Sequence, residues 1–333
     1  MKPGILVTRA MFPEVLERLR ETFDVIDNQA DVDYPPEALA ERLQGRVGLL
    51  SNAADTINAE LISRVPTLRA VCNMAVGYNN FDLAAMTRAG ILATNTPDIL
   101  TETTADFGWA LLMAAARRVS ESERWLRSGQ WKRWTYDTFL GAEVYGSTLG
   151  VLGMGRIGQA LARRASGFSM RVIYHNRSRL SPEVERDTRA TYVSKDDLLK
   201  QADHLVLVLP YSKESHHAIG AAELAQMKPT ATLVNLARGG IVDDAALAQA
   251  LADKRIFAAG LDVYEGEPKV HPALLEAEHV ALTPHIASAT FGTRLGMANL
   301  AADNLIAALG FGPRAGQPPN LLNPDALAQR ASS

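Results

Sequence analysis

Apolar positions fall along this chain in short runs that alternate with helical patterns. In the first hundred residues the runs at 5–8, 25–27, 47–51, 70–72 and 91–94 predict strands. Between them, 13–22, 36–43, 58–64 and 82–89 predict helices. Strands alternating with helices predict a parallel sheet covered on both faces. Asn95-Thr96-Pro97-Asp98 interrupts the pattern. A long helix is predicted after it, over 102–127, with Thr101 as N-cap and Gly129 as its end.

A second series begins at Thr148. Its predicted strands are 149–153, 170–175, 204–209, 232–235, 258–262 and 280–283, with helices near 194–201, 221–227 and 243–252. An Ala-rich helix is predicted over 288–309, and a loop-like tail follows through Gly310, Gly312, Pro313, Gly316, Pro318 and Pro319. The fold class predicted is α/β, with two Rossmann-like, doubly wound parallel-sheet domains and a cleft between them. Residues 1–100 with 288–333 are expected to form one, discontinuous domain, its last helix crossing back to the first sheet. Residues 101–287 are expected to form the other.

Composition narrows this picture only slightly. The 333 residues are 47% hydrophobic and 21% charged, as in globular proteins, and the net charge of −3 offers no polyanion surface. We therefore expect neither a nucleic-acid nor a membrane partner. The single cysteine, Cys72, sits in an apolar run and reads as a buried, inert thiol. The N-terminal residues lead straight into a strand, and the expected location is cytoplasmic.

The densest signal is Gly153-Met154-Gly155-Arg156-Ile157-Gly158, between a predicted strand and a predicted helix. In that setting Gly-x-Gly-x-x-Gly is the dinucleotide-binding fingerprint. Its glycines serve a tight turn, a backbone approach to pyrophosphate and close helix–strand packing. The helix N-terminus adds free N–H groups and partial positive charge.

Arg238, Glu267 and His285 lie at or just beyond the ends of three successive predicted strands, where open α/β sheets place ligand contacts. An arginine fork suits a carboxylate, a histidine exchanges protons near neutral pH, and a carboxylate beside it orients the ring. His204, His216, His217, His271 and His279 have no such setting. No Cys/His or carboxylate group shows metal-ligand spacing, so no metal is expected.

Together the motifs place the chain in a family. The sequence resembles the D-isomer-specific 2-hydroxyacid dehydrogenases, in the glyoxylate/hydroxypyruvate and 2-ketogluconate reductase branch. The residues that carry the resemblance are 76–82, Gly153–Gly158, Leu236-Ala237-Arg238-Gly239, 260–268 and 284–290. It implies that Arg238 holds the substrate carboxylate, that His285 is the acid/base and that Glu267 is its partner. It also implies that the Val76 and Gly77 backbone helps hold the carboxylate. Cofactor contacts are implied at Thr104, Arg156, Ile157, Pro210, Ser215, Ala237 and Asp262, with Asp262 and Thr104 near the nicotinamide. The substrate implied is a small 2-keto acid, reduced to its D-2-hydroxy acid. A homodimer is implied, with 131–140 reaching toward the partner. There Thr138-Phe139-Leu140 replaces the tryptophan that relatives carry. The alternative on the same fold is a non-catalytic, dinucleotide-sensing protein.

The second strand of the cofactor domain ends His175-Asn176-Arg177-Ser178-Arg179, with no acid to bind ribose hydroxyls. Arg177 suits a 2′-phosphate, with Asn176 and Ser178 as neutral donors. NADP(H) is therefore expected to be preferred, with NAD(H) possible.

Overall fold

The chain divides into two compact units, Met1–Leu100 with the chain from Thr290 on, and Thr101–Ala289. The computed structural model describes residues 1–331. Each unit is a parallel-sheet α/β domain.

In the first unit the strands are β1 (Gly4–Val7), β2 (Asp24–Ile26), β3 (Gly48–Ser51), β4 (Ala70–Asn73) and β5 (Leu92–Thr94). They form one sheet in the order β2-β1-β3-β4-β5. Helices α1 (Pro13–Thr22), α2 (Pro36–Arg42), α3 (Ala59–Arg64) and α4 (Leu83–Arg88) connect them. Asn58 and Asp82 cap α3 and α4 by accepting from Leu61 N and Ala85 N. Cys72 is wholly buried, and burial pushes its thiol up to about 12, which keeps it protonated and inert.

The second unit has a seven-stranded sheet. Its strands are β6 (Thr148–Leu152), β7 (Arg171–His175), β8 (Ala190–Tyr192), β9 (His204–Leu207), β10 (Thr232–Asn235), β11 (Ala258–Leu261) and β12 (Val280–Leu282). The order is β12-β11-β10-β9-β6-β7-β8. The chain runs outward from β6 to β8, then restarts at β9 on the other side of β6. That reversal opens a crevice at the C-terminal ends of β6 and β9, where such sheets bind ligands. The helices are α5 (Thr101–Ala116), α6 (Val119–Arg127), α7 (Arg156–Ala165), α8 (Pro182–Thr188), α9 (Lys195–Gln201), α10 (Ala221–Leu224), α11 (Asp244–Ala252) and α12 (Pro272–Glu276). Two apolar cores cover the two faces of the sheet, one built on Leu205, Leu233 and Leu261, the other on Leu149, Val151 and Val206.

Three expectations need correction. The predicted helix 102–127 is two helices. Arg118 turns left-handed at φ 54°, and the Ala116 carbonyl that would continue the helix accepts instead from Ala142 N at 2.8 Å. The helix starts at Thr101 itself, so Thr101 lies inside it. Second, β8, α8 and α12 had no strong pattern. β8 is a three-residue edge strand, and α8 (PEVERDT) holds one large apolar residue, though Ser181 caps it and Pro182 opens it.

The third correction concerns the tail, whose Gly/Pro stretch 310–320 is turn and loop as expected but which then ends in a helix. After α13 (Phe291–Ala308), which lays Ala298, Ala301, Ala302 and Leu305 against the first sheet, the chain returns to the sheet edge. Leu322 N donates to Ala93 O, Thr94 pairs antiparallel with Leu321, and α14 (Asp325–Ala331) packs on α4. Buried Asn323 accepts from Ala93 N at 2.9 Å and donates to Ile91 O at 2.9 Å and Thr87 Oγ1 at 3.1 Å.

Asn323 thus satisfies two buried main-chain groups of β5. Asn323→Ala leaves both without partners, at about 1–3 kcal/mol each. Thermal unfolding should show a clear fall in Tm, and a variant as stable as the wild type would refute this anchoring role.

Candidate functional site

The glycine turn fits a dinucleotide. Gly153 sits at φ 102°, a conformation side chains resist, and a Cβ there would lie 2.7 Å from Leu209 N. A Cβ on Gly158 would lie 2.6 Å from the Gly153 carbonyl, so α7 meets its strand closely. At Gly155, the N-cap of α7, a Cβ would meet nothing within 4 Å. Open space therefore stands at the N–H end of a ten-residue helix, where a pyrophosphate would lie. Arg156 and Ile157 open that helix.

Around the turn, Asn176 Oδ1 accepts from Met154 N at 2.6 Å, which leaves its amide group as the donor. Arg177 and Ser178 are exposed. Arg179 is held by a two-pronged pair with Glu185, at 2.8 Å for each bond. Arg177 is close enough to Glu214 to help hold that carboxyl below its usual range, after the Ser212 hydroxyl and its own backbone. The Ser215 hydroxyl closes a turn, donating to Pro210 O at 3.0 Å and accepting from Ser212 N at 2.7 Å. These bonds shape the Pro210–Ser215 turn. Thr104 is buried in α5.

The chemistry gathers beyond β10, β11 and β12. Asn235 braces the Arg238 turn from both sides, accepting from Ala237 N at 3.0 Å and donating to Arg238 O at 3.2 Å. Arg238 Nη1 donates to Ala237 O at 2.8 Å. Burial pushes the guanidinium down from its ordinary value and Glu267 partly offsets this. It stays charged at any working pH.

His285 Nδ1 meets Glu267 Oε2 at 2.8 Å, which leaves Nε2 as the free ring nitrogen. The other carboxylate oxygen, Oε1, accepts from Tyr264 N at 2.9 Å. Burial alone would raise the Glu267 carboxyl, but His285, the Tyr264 N–H and Arg238 together hold it below the usual range. His285 itself sits left-handed at φ 56°.

The buried Asp262 carboxylate holds that conformation. It accepts from Thr283 Oγ1 at 2.7 Å, Ile286 N at 2.8 Å and Ala287 N at 2.8 Å. The Tyr264 hydroxyl adds a bond to Thr283 O at 2.9 Å. Sequence reading missed Tyr264 and Asn235, whose bonds hold other site residues in place. An Asn at a strand end just before a reactive turn is the one local sign of the latter.

In the first unit, side chains fix the carbonyls of the Val76–Gly77 loop. Asn95 Nδ2 donates to Val76 O at 2.7 Å, and Asn73 Nδ2 to Gly77 O at 2.8 Å. Away from the His285–Glu267 pair, His216, His217 and Glu265 place ligand-type atoms within 4.8 Å of one another. Spacing did not show it, since Glu265 lies 48 residues from His217.

Residues 109–287 match the family described as D-isomer specific 2-hydroxyacid dehydrogenase, NAD binding domain. The chain is 48% identical to a glyoxylate reductase of Thermococcus gammatolerans, over 92% of this chain and 93% of that one. It is 46% identical to a glyoxylate reductase of Thermococcus onnurineus, over 99% and 98%. Among solved structures it is similar to an NADPH-dependent glyoxylate/hydroxypyruvate reductase from Sinorhizobium meliloti in complex with NADP and malonate. There the TM-score is 0.86 and the identity 33%, with 98% of each chain covered. A parallel sheet with a glycine turn at its reversal point defines a dinucleotide-binding enzyme class. Within it, this chain belongs to the D-isomer specific 2-hydroxyacid dehydrogenase family, and is an NAD(P)-dependent dehydrogenase. That membership sets aside the non-catalytic reading. Among the described residues no helix is long and apolar enough to cross a membrane.

Glu267 generates a pH prediction. Its carboxyl is low in the folded protein and ordinary in the unfolded chain, so it binds fewer protons when folded. Its pairing therefore stabilises the fold fully above the ordinary carboxylate range and is lost as pH falls through the folded value. Glu267→Gln should lower Tm at about pH 7, and the deficit should shrink toward about pH 3. A deficit that stays constant across that series would contradict the assigned pairing.

Proposed function

We propose that the protein reduces a small 2-keto acid, glyoxylate foremost, to the D-2-hydroxy acid, with hydroxypyruvate and 2-ketogluconate as further substrates. The observation that carries this reading is the 2.8 Å pair of His285 Nδ1 and Glu267 Oε2, beside the Arg238 turn at neighbouring strand ends. The glyoxylate reductases at 46–48% identity support it.

In this mechanism Arg238 binds the substrate carboxylate with its guanidinium fork and stabilises the negative charge that builds on the carbonyl oxygen. His285 donates the proton on Nε2 to that oxygen. Glu267 keeps the ring oriented through its contact with Nδ1. Reduced nicotinamide, when bound, supplies the hydride. The assignment of Val76 and Gly77 to the substrate carboxylate rests on the family resemblance, as do a cofactor contact at Ala237 and nicotinamide-side contacts from Asp262 and Thr104.

The cofactor preferred is NADPH. Exposed Arg177 beside Asn176 and Ser178, with no acid at the end of β7, supports this reading, and so does the NADPH-dependent relative. The assembly proposed is a homodimer. Helix α6 buries none of its residues, and Trp131, Trp134, Tyr136, Leu140 and Tyr145 after it are each more than half exposed. A patch of that kind marks a protein interface.

Keto-acid turnover with each cofactor, ranked by kcat/KM, tests the proposal, and no turnover of any 2-keto acid would overturn it. His285→Ala should lower kcat about 10²–10⁴-fold while cofactor affinity holds; a loss under about tenfold would remove His285 as the acid. Arg177→Ala should raise KM for NADPH about ten- to a hundred-fold, the worth of one charge-assisted hydrogen bond of ~1.5–3 kcal/mol. NADH kinetics should barely move, and equal loss of both cofactors would rule out a 2′-phosphate contact.

A further inference from the structure

We propose that His216, His217 and Glu265 form a binding site for a borderline divalent transition-metal ion such as Zn²⁺, separate from the His285–Glu267 pair. Two imidazoles and a carboxylate are a donor set that zinc takes, leaving a fourth position for water. Their ligand atoms lie within 4.8 Å of one another. His217 Nε2 lies 3.1 Å from both Glu265 oxygens. That separation is close to the edge of a tetrahedron with metal–ligand bonds of about 2.0–2.1 Å, roughly 3.4 Å.

A polar side chain also stands near each imidazole, of the kind that orients a metal-bound ring. Tyr211 Oη is 3.2 Å from His216 Nδ1, and Asp243 Oδ2 is 3.8 Å from His217 Nδ1. The backbone presents the donors with little freedom. His217 is left-handed at φ 48°, its N–H donates to Gly240 O at 2.7 Å, and the two imidazoles stack at 3.9 Å. Glu265 is fixed by its own N–H, which donates to the buried Asp244 carboxylate at 3.0 Å.

The location gives the ion a role. Gly239 packs so tightly on the Tyr264 carbonyl that a Cβ would lie 1.7 Å from it. The site therefore ties the 211–217 loop to the loop carrying Glu267, with the Arg238 turn between them. A bound ion clamps these loops and stabilises the fold. The inference rests on the donor set alone and stands whether or not the proposed reduction is correct.

The test is titration of the untagged, metal-stripped protein with Zn²⁺ alone, followed by calorimetry and by Tm. We expect one ion per chain, a Tm that rises with Zn²⁺, and weaker binding in acid, because a metal ligand must be deprotonated. His217→Gln and Glu265→Gln should each weaken binding at least about tenfold, while His279→Gln should not. X-ray absorption of the Zn²⁺-loaded wild type should show imidazole ligands, a readout that needs no variant. No uptake, equal uptake by all variants, or a spectrum without imidazole would each overturn the site and leave His217–Glu265 a surface ion pair.

Discussion

The Asp262 carboxylate is the constraint on which the reactive end of the second unit depends. It is 1% exposed, and a carboxylate so placed must find donors inside the protein. It finds them in one hydroxyl and two successive main-chain N–H groups, all from residues 283–287. The left-handed backbone at His285 is awkward for a side-chain-bearing residue. The donors gathered around Asp262 offset that strain. Tyr264 extends the same structure, because its N–H holds Glu267 and its hydroxyl holds Thr283. Acid, partner and loop are thus set by groups that never need touch a substrate. Such outer contacts make a site rigid enough for chemistry.

Most of the sheet scaffold was legible in the sequence. Among the described residues, eleven of the twelve strands coincide with apolar runs, because buried parallel strands require continuous apolar sequence. The glycine fingerprint was legible for a local reason, since strand, turn and helix N-terminus are contiguous. Features made by distant segments were not. Nothing near Ala116 announces that its carbonyl will be taken by Ala142, so the break between α5 and α6 is invisible to helical periodicity. The anchored end of the tail was not legible, because Asn323 and the Leu321–Leu322 backbone meet a sheet edge far away in sequence.

The site divides along the same line. Arg238, Glu267 and His285 were found because each follows a strand, and strand ends can be counted from the pattern. Asn235 and Tyr264 were missed because their partners come from folded geometry. The proximity of His216, His217 and Glu265 is likewise not visible in sequence, because the carboxylate arrives from a separate loop. The strand end after β7 carries its information in what is absent, since a missing acid can be read from sequence alone.

The tail on β5 has a consequence for how this chain can be cut or joined. An outer strand with open N–H and C=O groups is a template onto which another chain can add. Leu321, Leu322 and Asn323 occupy that template, and α14 fastens them down. A shortened version ending before Leu321 would carry a raw sheet edge, and its failure would be stickiness between molecules rather than lost chemistry. Fusions made beyond α14 would leave the edge sealed.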